Sequence, residues 1–400
     1  MLEKNVGFLF NHDGVHQVAH IAPIIRELNQ CYPHIKVVVM TSSDAQLDRL
    51  FEIIGTPPHA GVKIKQLEIP MYLRRVFTLL NKVGPAQRLY ILKRYKPMFE
   101  TLDALVVPEF TSAILKTKLG LTSTPLIVFP HGAGDRAIGF GSDITHFDHV
   151  LLSGPKVRDR MLKSGLIRTD NYSIVGYPKF DTINPETQAR NNYFKNSRPT
   201  VLYNPHFDAR LSSWHTMGLD VLEYFSDRPD YNLIVAPHVM LFKKRLHFSL
   251  ESRLFKFTKR IPSRYWKCPN IKIDPGSTSS VNMDYTLSSD IYLGDVSSQV
   301  YEFLYRPRPC IFLNSHQADW LENPNYKHWH CGPVLEKVSD IESVLANLET
   351  IRETYRDTQI KLFSETFALN STSSSLRAAR SIASFLDART PQSSEFTITH

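Results

Sequence analysis

The sequence predicts an α/β protein made of two Rossmann-like domains, each with a parallel sheet. Short apolar runs alternate with longer amphipathic segments along most of the chain, which leaves room for a helical crossover between successive strands. A length of 400 residues is enough for two hydrophobic cores. A polar connector at 184–199 separates the two groups of runs and has the composition of a linker.

Each predicted strand is a short apolar run bounded by turn residues or polar residues. In the first half these runs are Val6–Phe10, Ile35–Met40, Ala104–Val107, Leu126–Phe129 and His149–Leu152. In the second half they are Val201–Asn204, Leu233–Ala236, Ile271–Ile273, Ile291–Leu293 and Cys310–Leu313. Apolar residues at helical spacing predict crossover helices between them, for example over Ile21–Leu28 and Val300–Leu304.

The pattern sets the expected domain boundaries. We predict an N-terminal domain over 1–183 and a C-terminal domain over 200–368, joined by the linker 184–199. The segment 369–388 is predicted to form a C-terminal helix that crosses back to the first domain. The tail 389–400 lacks periodicity and is predicted to be disordered.

Composition narrows the function classes. The hydrophobic fraction of 42% and the charged fraction of 22% are typical of a globular protein. A net charge of +8 favours anionic partners, such as nucleotide phosphates, a polyanionic polymer or an anionic membrane surface. No zinc-finger spacing or RNA-binding aromatic motif is present, so nucleic acid is not an expected partner.

Cysteine spacing and hydropathy exclude further classes. The four cysteines are far apart and form no C-x-x-C pair, which argues against a disulfide framework and a structural zinc site. The N-terminal apolar segment is too short for a signal peptide, and no run approaches the roughly 20 apolar residues that span a bilayer. We therefore expect a cytoplasmic protein with, at most, peripheral membrane attachment.

One turn in the second half has the residues of a phosphate site. Gly294 and Asp295 end a predicted strand, and Ser297 and Ser298 open a predicted helix. A helix N-terminus offers free backbone N–H groups to a phosphate, and hydroxyls add hydrogen bonds. Glu302 lies one turn further on, within reach of a ribose hydroxyl. The turn predicts a nucleotide-diphosphate pocket, although two serines at a helix start more often form only a cap.

Two loops of the first half also follow strands. In Asn11-His-Asp-Gly-Val-His16, Gly14 allows close approach of a ligand and His16 follows it, but the full G-x-G-x-x-G pattern of an NAD site is missing. In Phe129-Pro-His-Gly-Ala-Gly-Asp-Arg136, His131 stands at a strand end, where open α/β sheets bind ligands. Gly132 permits a sharp turn, Arg136 is a candidate phosphate contact, and a neutral imidazole could accept a hydroxyl proton. A simple strand-to-helix turn is the alternative for the first loop, and a histidine that is only hydrogen-bonded within the turn is the alternative for the second.

Histidines follow two strands of the second half as well. Pro237 and His238 end one strand, and His238 could donate to a diphosphate and stabilise the leaving group. Taken alone, a histidine after proline is more often structural. His206 repeats the arrangement on the preceding strand, and Arg210 follows it as a candidate phosphate contact.

Two stretches, 71–99 and 241–267, interleave Lys and Arg with large apolar residues. This composition suits a membrane interface or an anionic polymer. A solvated face on a core helix is the alternative for either stretch alone.

Together the motifs resemble those of the CDP-glycerol glycerophosphotransferases, the teichoic-acid primase and polymerase family. The resemblance spans about 125–315 and rests on His131-Gly132, Gly176-Tyr-Pro-Lys-Phe-Asp181, Pro237-His238, and Asp295, Ser297, Ser298 and Glu302. The sequence departs from the family at Ala133, where the family has a small polar residue. It also departs at Pro205-His206-Phe207-Asp208, where the family has Pro-Thr-aromatic-Arg.

The resemblance implies a GT-B fold whose two sheets face a central cleft, with the donor nucleotide held mainly by the C-terminal domain. It implies transfer of a polyol phosphate from CDP-glycerol or CDP-ribitol to an acceptor hydroxyl, with release of CMP, in cell-envelope or capsular polymer synthesis at the inner face of the membrane. His131 would be the base, and His238 would stabilise the diphosphate. Ser297 and Ser298 would bind phosphate and Glu302 the ribose, with no metal or cofactor required.

Because the departures lie near the acceptor and the transferred group, three alternatives stay open. They are a GT-B glycosyltransferase that uses a CMP- or UDP-sugar, a UDP-sugar 2-epimerase, and a noncatalytic polyanion-binding protein.

Overall fold

The computed structural model describes residues 3–12, 14–56, 61–81, 84–189, 192–249 and 252–389. The strands are β1 (Lys4–Phe10), β2 (Ile35–Thr41), β3 (Val62–Gln66), β4 (Ala104–Val107), β5 (Leu126–Val128), β6 (His149–Leu152), β7 (Tyr172–Ile174), β8 (Thr200–Asn204), β9 (Asn232–Val235), β10 (Leu246–Phe248), β11 (Phe255–Phe257), β12 (Ile271–Ile273), β13 (Ile291–Gly294), β14 (Cys310–Leu313) and β15 (Val334–Leu335).

The α-helices are α1 (Val18–Cys31), α2 (Asp44–Ile54), α3 (Met71–Leu80), α4 (Ala86–Phe99), α5 (Ile114–Thr117), α6 (Pro155–Lys163), α7 (Pro185–Gln188), α8 (Trp214–Ser226), α9 (Ser263–Trp266), α10 (Asp284–Ser288), α11 (Gln299–Phe303), α12 (Ile341–Leu345), α13 (Leu348–Thr366) and α14 (Ser374–Ala388). Short 3₁₀ helices lie at Val15–Gln17, Phe110–Ala113, Ala137–Phe140, Ser142–His146, Pro178–Thr182, Thr278–Ser280, Pro324–Cys331 and Val338–Asp340. The tail that the sequence predicts to be disordered lies, beyond Arg389, outside the described residues.

The chain divides into two compact units. The first contains the chain up to His131, the segment Phe140–Thr182 and the described residues from Phe367 onwards. The second contains Gly132–Gly139 and Ile183–Thr366. The sequence predicted a single boundary between the two domains, at residue 183. In the structure the short loop Gly132–Gly139 also belongs to the second unit, although its neighbours in sequence belong to the first.

The first unit is built on a seven-stranded parallel sheet in the order β3-β2-β1-β4-β5-β6-β7. Its central strands are apolar and buried on both faces, as expected for a parallel sheet covered by helices. The strand order reverses between β1 and β4, where the loops at the carboxyl ends of the strands separate and leave room for a ligand. The loop after β1 and the residues after β4 and β5 therefore meet at one edge of the sheet.

Helix α1 follows β1 and carries one of the residues at this edge. Val18, Ile21, Ile25 and Leu28 recur at helical spacing and are fully buried, so this face packs into the core of the unit. His20 lies in the first turns of the same helix and is 4% exposed. The packing of α1 therefore fixes a histidine inside the carboxyl edge of the sheet.

The second unit is built on a six-stranded parallel sheet in the order β12-β9-β8-β13-β14-β15. Here the order reverses between β8 and β13, whose carboxyl ends lead into His206 and Asp295. Strands β10 and β11 form a separate antiparallel hairpin, in which Leu246 lies opposite Phe257 and Phe248 opposite Phe255.

The Gly176-Tyr-Pro-Lys-Phe-Asp181 motif docks helix α14 within the first unit. Gly176 has a φ of +82°, and an added Cβ there would clash with Arg377 and Ser374. The Tyr177 backbone N–H donates to Ser374 Oγ at 2.9 Å. The Asp181 carboxylate accepts from the Ser375 N–H at 2.7 Å, beside the positive end of the helix dipole. In this structure the motif therefore holds the C-terminal helix.

The predicted α/β fold with two parallel sheets is confirmed, and each of the ten predicted runs forms a strand. The sequence did not predict β3, β7, β15 or the hairpin. Strands β3, β7 and β15 lie at sheet edges and are only partly buried, so their sequences lack the continuous apolar run that marks a central strand. Over the described residues, no helix is both long and apolar enough to cross a membrane.

Candidate functional site

His131 lies in the loop after β5 and is held by two hydrogen bonds within the first unit. Its Nδ1 lies 3.0 Å from the Pro108 carbonyl oxygen, which can only accept, so Nδ1 carries a proton. In the neutral ring the lone pair is then on Nε2, which lies 3.0 Å from the side-chain nitrogen of Gln17 and accepts from it. The tautomer is thus the one in which Nε2 is available as a base.

The surroundings of His131 favour this neutral form. Desolvation of the ring is the main cause that lowers the pKa of His131, and Arg88 lowers it further, although the residue as a whole is exposed. The Pro108 carbonyl and Glu109 oppose the shift. Arg88 is itself paired with Glu109 at 3.1 Å, which limits the charge that either side chain presents.

His131 belongs to a cluster of polar residues, here called the histidine cluster, which consists of His12, Gln17, His20 and His131. Burial lowers the pKa of His12 to about 3, with His131 and Arg88 adding to the effect and the Gly14 backbone opposing it. Burial also lowers the pKa of His20 well below 6.5, followed by the repulsion of Lys179 and the neighbouring histidines. The ring centroids of His20 and His131 are 6.2 Å apart. At neutral pH the cluster therefore holds uncharged imidazoles.

The two residues that the sequence selected in the loop after β1 lie beside this cluster. The His16 ring is in edge contact with His131, at 6.3 Å between centroids. Gly14 precedes the 3₁₀ helix Val15–Gln17 with a φ of −94°, and an added Cβ would lie 2.6 Å from the His16 ring. Gly14 thus makes room for a neighbouring side chain of its own loop. Among the described residues, no group of three His, Cys, Asp or Glu side chains is arranged to hold a metal ion.

The loop Gly132–Gly139 belongs to the second unit and contacts the turn after β13. Gly132 has a φ of +83°, a conformation that residues with a Cβ rarely adopt. Gly134 has a different constraint, because an added Cβ would lie 3.1 Å from Ser298 Cβ. The two glycines that follow His131 therefore allow the loop to turn and to lie against Ser298.

Arg136 lies in the same loop and forms, with His206, Asp208 and His238, what we call the Arg136 cluster. Arg136 Nη1 is 3.0 Å from His206 Nε2, and Nη2 is 3.7 Å from Asp208 Oδ2, beyond hydrogen-bond distance. The backbone N–H of Asp208 donates to His206 Nδ1 at 3.0 Å. Both ring nitrogens of His206 thus face donors, whereas a neutral imidazole has only one lone pair.

This mismatch leaves Arg136 poorly satisfied. Burial is the main cause that lowers the pKa of His206 well below 6.5, and Arg136 adds to it, so protonation does not relieve the contact. The Nε of Arg136 is buried without a hydrogen-bond partner among the described residues. A guanidinium with one mismatched contact, one long ion pair and one unpaired nitrogen is well suited to receive an anion.

His238 is the second histidine of this cluster. The backbone N–H of Met240 donates to His238 Nδ1 at 3.2 Å, which places the proton of the neutral ring on Nε2. Its ring lies 5.3 Å from that of His206 and 4.6 Å from that of Phe207, between centroids. His238 can therefore donate a hydrogen bond from Nε2, as an anion-binding histidine must.

The turn after β13 differs from the sequence expectation. Asp295 Oδ1 accepts from the N–H groups of His206 and Val296, and Oδ2 accepts from the N–H and the hydroxyl of Ser213, at 2.6–2.9 Å. Burial raises the pKa of Asp295, and these donors oppose the shift. Because its carboxylate is saturated by these protein donors, Asp295 organises the loop that carries His206 and presents no oxygen to a ligand.

Ser298 makes no side-chain helix cap, which was the alternative to a phosphate site for the serines of this turn. Helix α11 starts at Gln299 and has only five residues, and Ser298 makes no side-chain capping bond. Ser297 is 2% exposed and accepts weakly from the Gln299 N–H at 3.4 Å. A helix this short has little dipole to stabilise a phosphate. Of the two hydroxyls, that of Ser298 lies against the loop that carries Arg136, beside Gly132 and Gly134.

The remaining predicted residues are placed as follows. Glu302 is 5% exposed and lies inside the second unit. Gly294 and Pro237 are buried at the ends of β13 and β9. Arg210 is exposed, and its backbone N–H donates to Asp208 Oδ1 at 2.9 Å.

Several residues in or next to the two clusters were not selected from the sequence. Gln17 and His20 are among them. The spacing of His16 and His20, one helical turn apart, could have indicated that His20 lies on the same side of the helix as His16. Asp135 lies inside the quoted loop, and its Oδ2 accepts from Tyr301 and His328 at 2.6–3.0 Å. His328 is 193 positions away along the chain and no local pattern indicates it.

Comparison with known proteins identifies the fold. No protein-family model matches the chain, and no curated protein matches it by sequence. The wall teichoic acid polymerase TagF matches with a TM-score of 0.61 and 13% identity, covering 97% of this chain and 90% of that chain. A UDP-N-acetylglucosamine 2-epimerase matches with a TM-score of 0.59 and 14% identity, covering 98% of both chains. The S. aureus MnaA–UDP structure matches with a TM-score of 0.59 and 14% identity, covering 96% of this chain and 97% of that chain. The chain has the GT-B fold of these proteins, as the resemblance implied.

Proposed function

We propose that the protein is a transferase that moves a polyol phosphate from a CDP-activated polyol to an acceptor hydroxyl and releases CMP. The observation that carries the proposal is the poorly satisfied Arg136, which shares a cluster with two histidines in the second unit. The order of motifs along the chain supports the cytidine donor, and one of the structurally similar proteins, a TagF variant, was soaked with CDPG.

The second unit is assigned the donor. A diphosphate oxygen at Arg136 would replace the mismatched contact with His206 by a charge-assisted hydrogen bond. His238 would donate from Nε2 to the same diphosphate, and the Ser298 hydroxyl lies against the loop that carries Arg136. These groups would neutralise the charge that builds on the CMP phosphate as it leaves.

The first unit is assigned the base. The acceptor oxygen attacks the distal phosphorus of the donor, one P–O bond forms, and the P–O bond to CMP breaks. The hydroxyl proton moves to Nε2 of His131, whose tautomer and lowered pKa keep that nitrogen unprotonated at neutral pH. The Pro108 carbonyl then stabilises the imidazolium through Nδ1–H.

A second candidate is a nucleotide-sugar enzyme, either a UDP-sugar transferase or a 2-epimerase. It is favoured by one observation: the epimerase and MnaA–UDP structures match the chain about as well as TagF does. The two candidates differ in the nucleotide that the second unit binds.

A thermal-shift screen with CDP-glycerol, CDP-ribitol, CMP and UDP-N-acetylglucosamine separates them. A ligand at 100 times its Kd stabilises the folded state by about 2.7 kcal/mol, which is about 5–10 °C for a unit of this size. We expect the cytidine compounds to raise the Tm and the uridine compound to leave it unchanged. Stabilisation by the uridine compound alone would reject the cytidine donor, and no stabilisation by any of them would reject both candidates.

Arg136→Ala tests the anion site in the same assay. Loss of a hydrogen bond to a charged group costs about 1.5–3 kcal/mol, so CMP affinity should fall about 10- to 100-fold. Arg198→Ala removes an exposed arginine of the same unit and should leave CMP binding unchanged. Equal loss in both variants would show that CMP binding depends on net charge and not on the Arg136 cluster.

Turnover separates an enzyme from a noncatalytic binding protein. Loss of a general base typically lowers kcat by about 10²- to 10⁴-fold, and we expect this for His131→Ala with CMP stabilisation retained. His238→Ala should lower both turnover and CMP affinity. If both folded variants kept full turnover, the catalytic assignment would be wrong.

We further propose that the protein binds an anionic membrane surface through two patches. On α3, Met71 and Tyr72 are 81% and 78% exposed beside Arg74 and Arg75. On the hairpin, Leu246, Phe248, Phe255 and Phe257 share one exposed face, with basic residues before and after it. Exposed apolar side chains among cations suit the interface of an anionic bilayer, where each basic residue contributes about 1 kcal/mol.

Vesicle co-sedimentation tests this attachment. Binding to phosphatidylglycerol vesicles should exceed binding to phosphatidylcholine vesicles and should weaken with salt. Arg74→Gln with Arg75→Gln should reduce it, whereas Arg356→Gln with Lys361→Gln, an exposed pair on α13, should not. Binding that ignores salt and the first pair of substitutions would reject the proposal.

A further inference from the structure

The hairpin β10–β11 is attached to the second unit by the face opposite its exposed apolar residues. His247 lies on this inner face, opposite Lys256, and is 5% exposed. Its Nε2 donates to the Leu241 carbonyl oxygen at 2.8 Å, since a carbonyl can only accept. The Thr258 hydroxyl lies 3.2 Å from the same oxygen and 3.3 Å from the Lys244 carbonyl oxygen, so its one proton is shared. His247 is therefore the main side-chain tie between the hairpin and Leu241.

Leu241 closes the turn that carries His238. The Leu241 N–H donates to the His238 carbonyl at 2.8 Å, and the Met240 N–H donates to His238 Nδ1 at 3.2 Å. The Leu241 side chain is fully buried in the core of the unit. The residue whose carbonyl receives His247 thus belongs to the short turn that orients the His238 ring.

Ring contacts join the same residues a second time. The Phe207 ring lies 4.6 Å from that of His238 and 4.4 Å from that of His206, on which it is stacked. The His247 ring is in contact with Phe207 at 6.1 Å between centroids. A displacement of His247 therefore acts on the histidines of the Arg136 cluster both through a hydrogen bond and through packing.

The hairpin itself gains stability from a surface that covers it. It forms a separate two-stranded sheet, and such a hairpin is at best marginally stable in water. Its outer face carries Leu246, Phe248, Phe255 and Phe257, which are 40–75% exposed. Insertion of this face into a bilayer interface removes apolar surface from water and favours the ordered hairpin.

We propose that His247 is a positioning residue that couples the hairpin to the Arg136 cluster, so that docking on an anionic bilayer and binding of a nucleotide phosphate strengthen each other. The inference rests on the proposed function and adds an effect of the membrane on donor binding. The ordered hairpin keeps His247 on the Leu241 carbonyl and keeps His238 in the orientation from which its Nε2 donates. Because such coupling is reciprocal, each ligand raises the affinity of the other by the same factor.

Nuclear magnetic resonance of the ¹⁵N-labelled full chain tests the positioning without any ligand. His247→Phe keeps a ring but removes the donor to Leu241, so the signals of His238 Nδ1 and of the Met240 amide should shift. His247→Gln retains an N–H donor at a similar distance from the backbone and should restore them. His330→Phe is the matched control, because His330 Nε2 also donates to a carbonyl of this unit, that of Leu321, at 3.1 Å. Unchanged His238 signals in a folded His247→Phe variant would overturn the proposal.

Affinity measurements test the coupling. CMP affinity should fall about three- to tenfold in His247→Phe, the range expected for one hydrogen bond, and should change less than about twofold in His247→Gln and His330→Phe. Phosphatidylglycerol vesicles should raise the CMP affinity of the unmodified protein, and CMP should raise its vesicle affinity by the same factor. Repulsion between CMP and an anionic vesicle has the opposite sign, so it does not mimic this result. CMP and vesicles that both bind without affecting each other would overturn the proposal.

Failure of this inference is distinguishable from failure of the proposed function. The magnetic resonance experiment needs neither nucleotide nor membrane. Shifted His238 signals in His247→Phe without CMP binding by the unmodified protein would support the positioning role and reject only the donor. CMP binding with unchanged His238 signals would reject only the role of His247.

Discussion

Asp135 anchors the Gly132–Gly139 loop through its carboxylate. Its Oδ2 accepts from Tyr301 Oη at 2.6 Å, from His328 Nδ1 at 2.9 Å and from the His328 backbone N–H at 3.0 Å. His328 Nε2 lies 2.9 Å from the Asp295 carbonyl oxygen, so the His328 ring bridges the two loops. Asp135 and His328 are both buried, with side-chain exposures of 3% and 2%.

The expected cost of Asp135→Ala follows from these contacts. The substitution leaves three buried donors without an acceptor, and each buried polar group that loses its partner costs about 1–3 kcal/mol. Tyr301→Phe removes one donor and leaves the two from His328, so it should cost about 1.5–3 kcal/mol. In the double variant the substitution at position 301 removes a hydroxyl that no longer has the Asp135 carboxylate to donate to, so this second change should cost much less than it does in the unmodified protein.

Urea denaturation of the four proteins of this cycle measures the coupling. We expect an interaction energy of about 1.5–3 kcal/mol between Asp135 and Tyr301, with an unchanged m-value. Tyr72→Phe is a control, because Tyr72 is 78% exposed and a change there should stay within about 0.5 kcal/mol. A cost below about 1 kcal/mol for Asp135→Ala, or strictly additive costs, would refute the anchoring role.

Two further predictions concern the first unit. Gly176→Ala should destabilise this unit by at least about 1–2 kcal/mol, because φ is +82° at this position and the new Cβ would lie 3.2 Å from the Ala368 carbonyl oxygen. An unchanged midpoint of urea denaturation would contradict this prediction. Acid should also destabilise the protein, since the pKa of His12 is about 3 when folded and 6.5 when unfolded, and the unfolded chain binds more protons between these values. The contribution of His12 to the free energy of unfolding is present above pH 6.5 and is lost as the pH falls towards 3. Urea denaturation at pH 7, 6, 5 and 4 should therefore show a free energy of unfolding that falls with pH, and His12→Asn should make this fall smaller. A free energy of unfolding that rises towards pH 4 would contradict the expected sign.

The central part of the fold could be predicted from the sequence because it depends on local patterns. Strands buried on both faces need continuous apolar runs, and the runs at β1, β4, β8 and β13 identified them. Edge strands need no such run: β3 alternates lysine with apolar residues and is half exposed. The hairpin was missed for a related reason, because its apolar residues lie on an exposed face and not in a core.

The sites divide in the same way. A histidine at a strand end is a local feature, so the sequence indicated His131, His206 and His238. The partners that set their tautomers are either backbone atoms, such as the Pro108 carbonyl, or residues distant in sequence, such as Gln17, which is 114 positions from His131. Tautomer and charge state therefore require the three-dimensional structure.

The Gly-Tyr-Pro-x-x-Asp element shows why a motif does not by itself indicate chemistry. The positive φ of Gly176, the N–H of Tyr177 and the carboxylate of Asp181 all serve the start of α14, about 200 positions later. Each residue type has a physical reason in that contact: a conformation that favours glycine, a donor for a serine oxygen, and a negative charge at a helix N-terminus. A docking function is therefore sufficient to explain this motif.

The Asp-x-Ser-Ser turn combines a structural contact, like that of the Gly-Tyr-Pro-x-x-Asp element, with an effect on the proposed donor site. The sequence suggested that the two serines bind phosphate and that Asp295 belongs to the donor site, whereas the Asp295 carboxylate accepts from the backbone of His206 and from Ser213. The hydrogen bond from the His206 N–H to Asp295 fixes the backbone that carries the His206 ring. Because His206 Nδ1 accepts from Asp208, the proton of the neutral ring is on Nε2, which faces the Nη1 donor of Arg136. Asp295 thus acts on the proposed donor site through His206: it holds in place the mismatch that an anion at Arg136 would relieve.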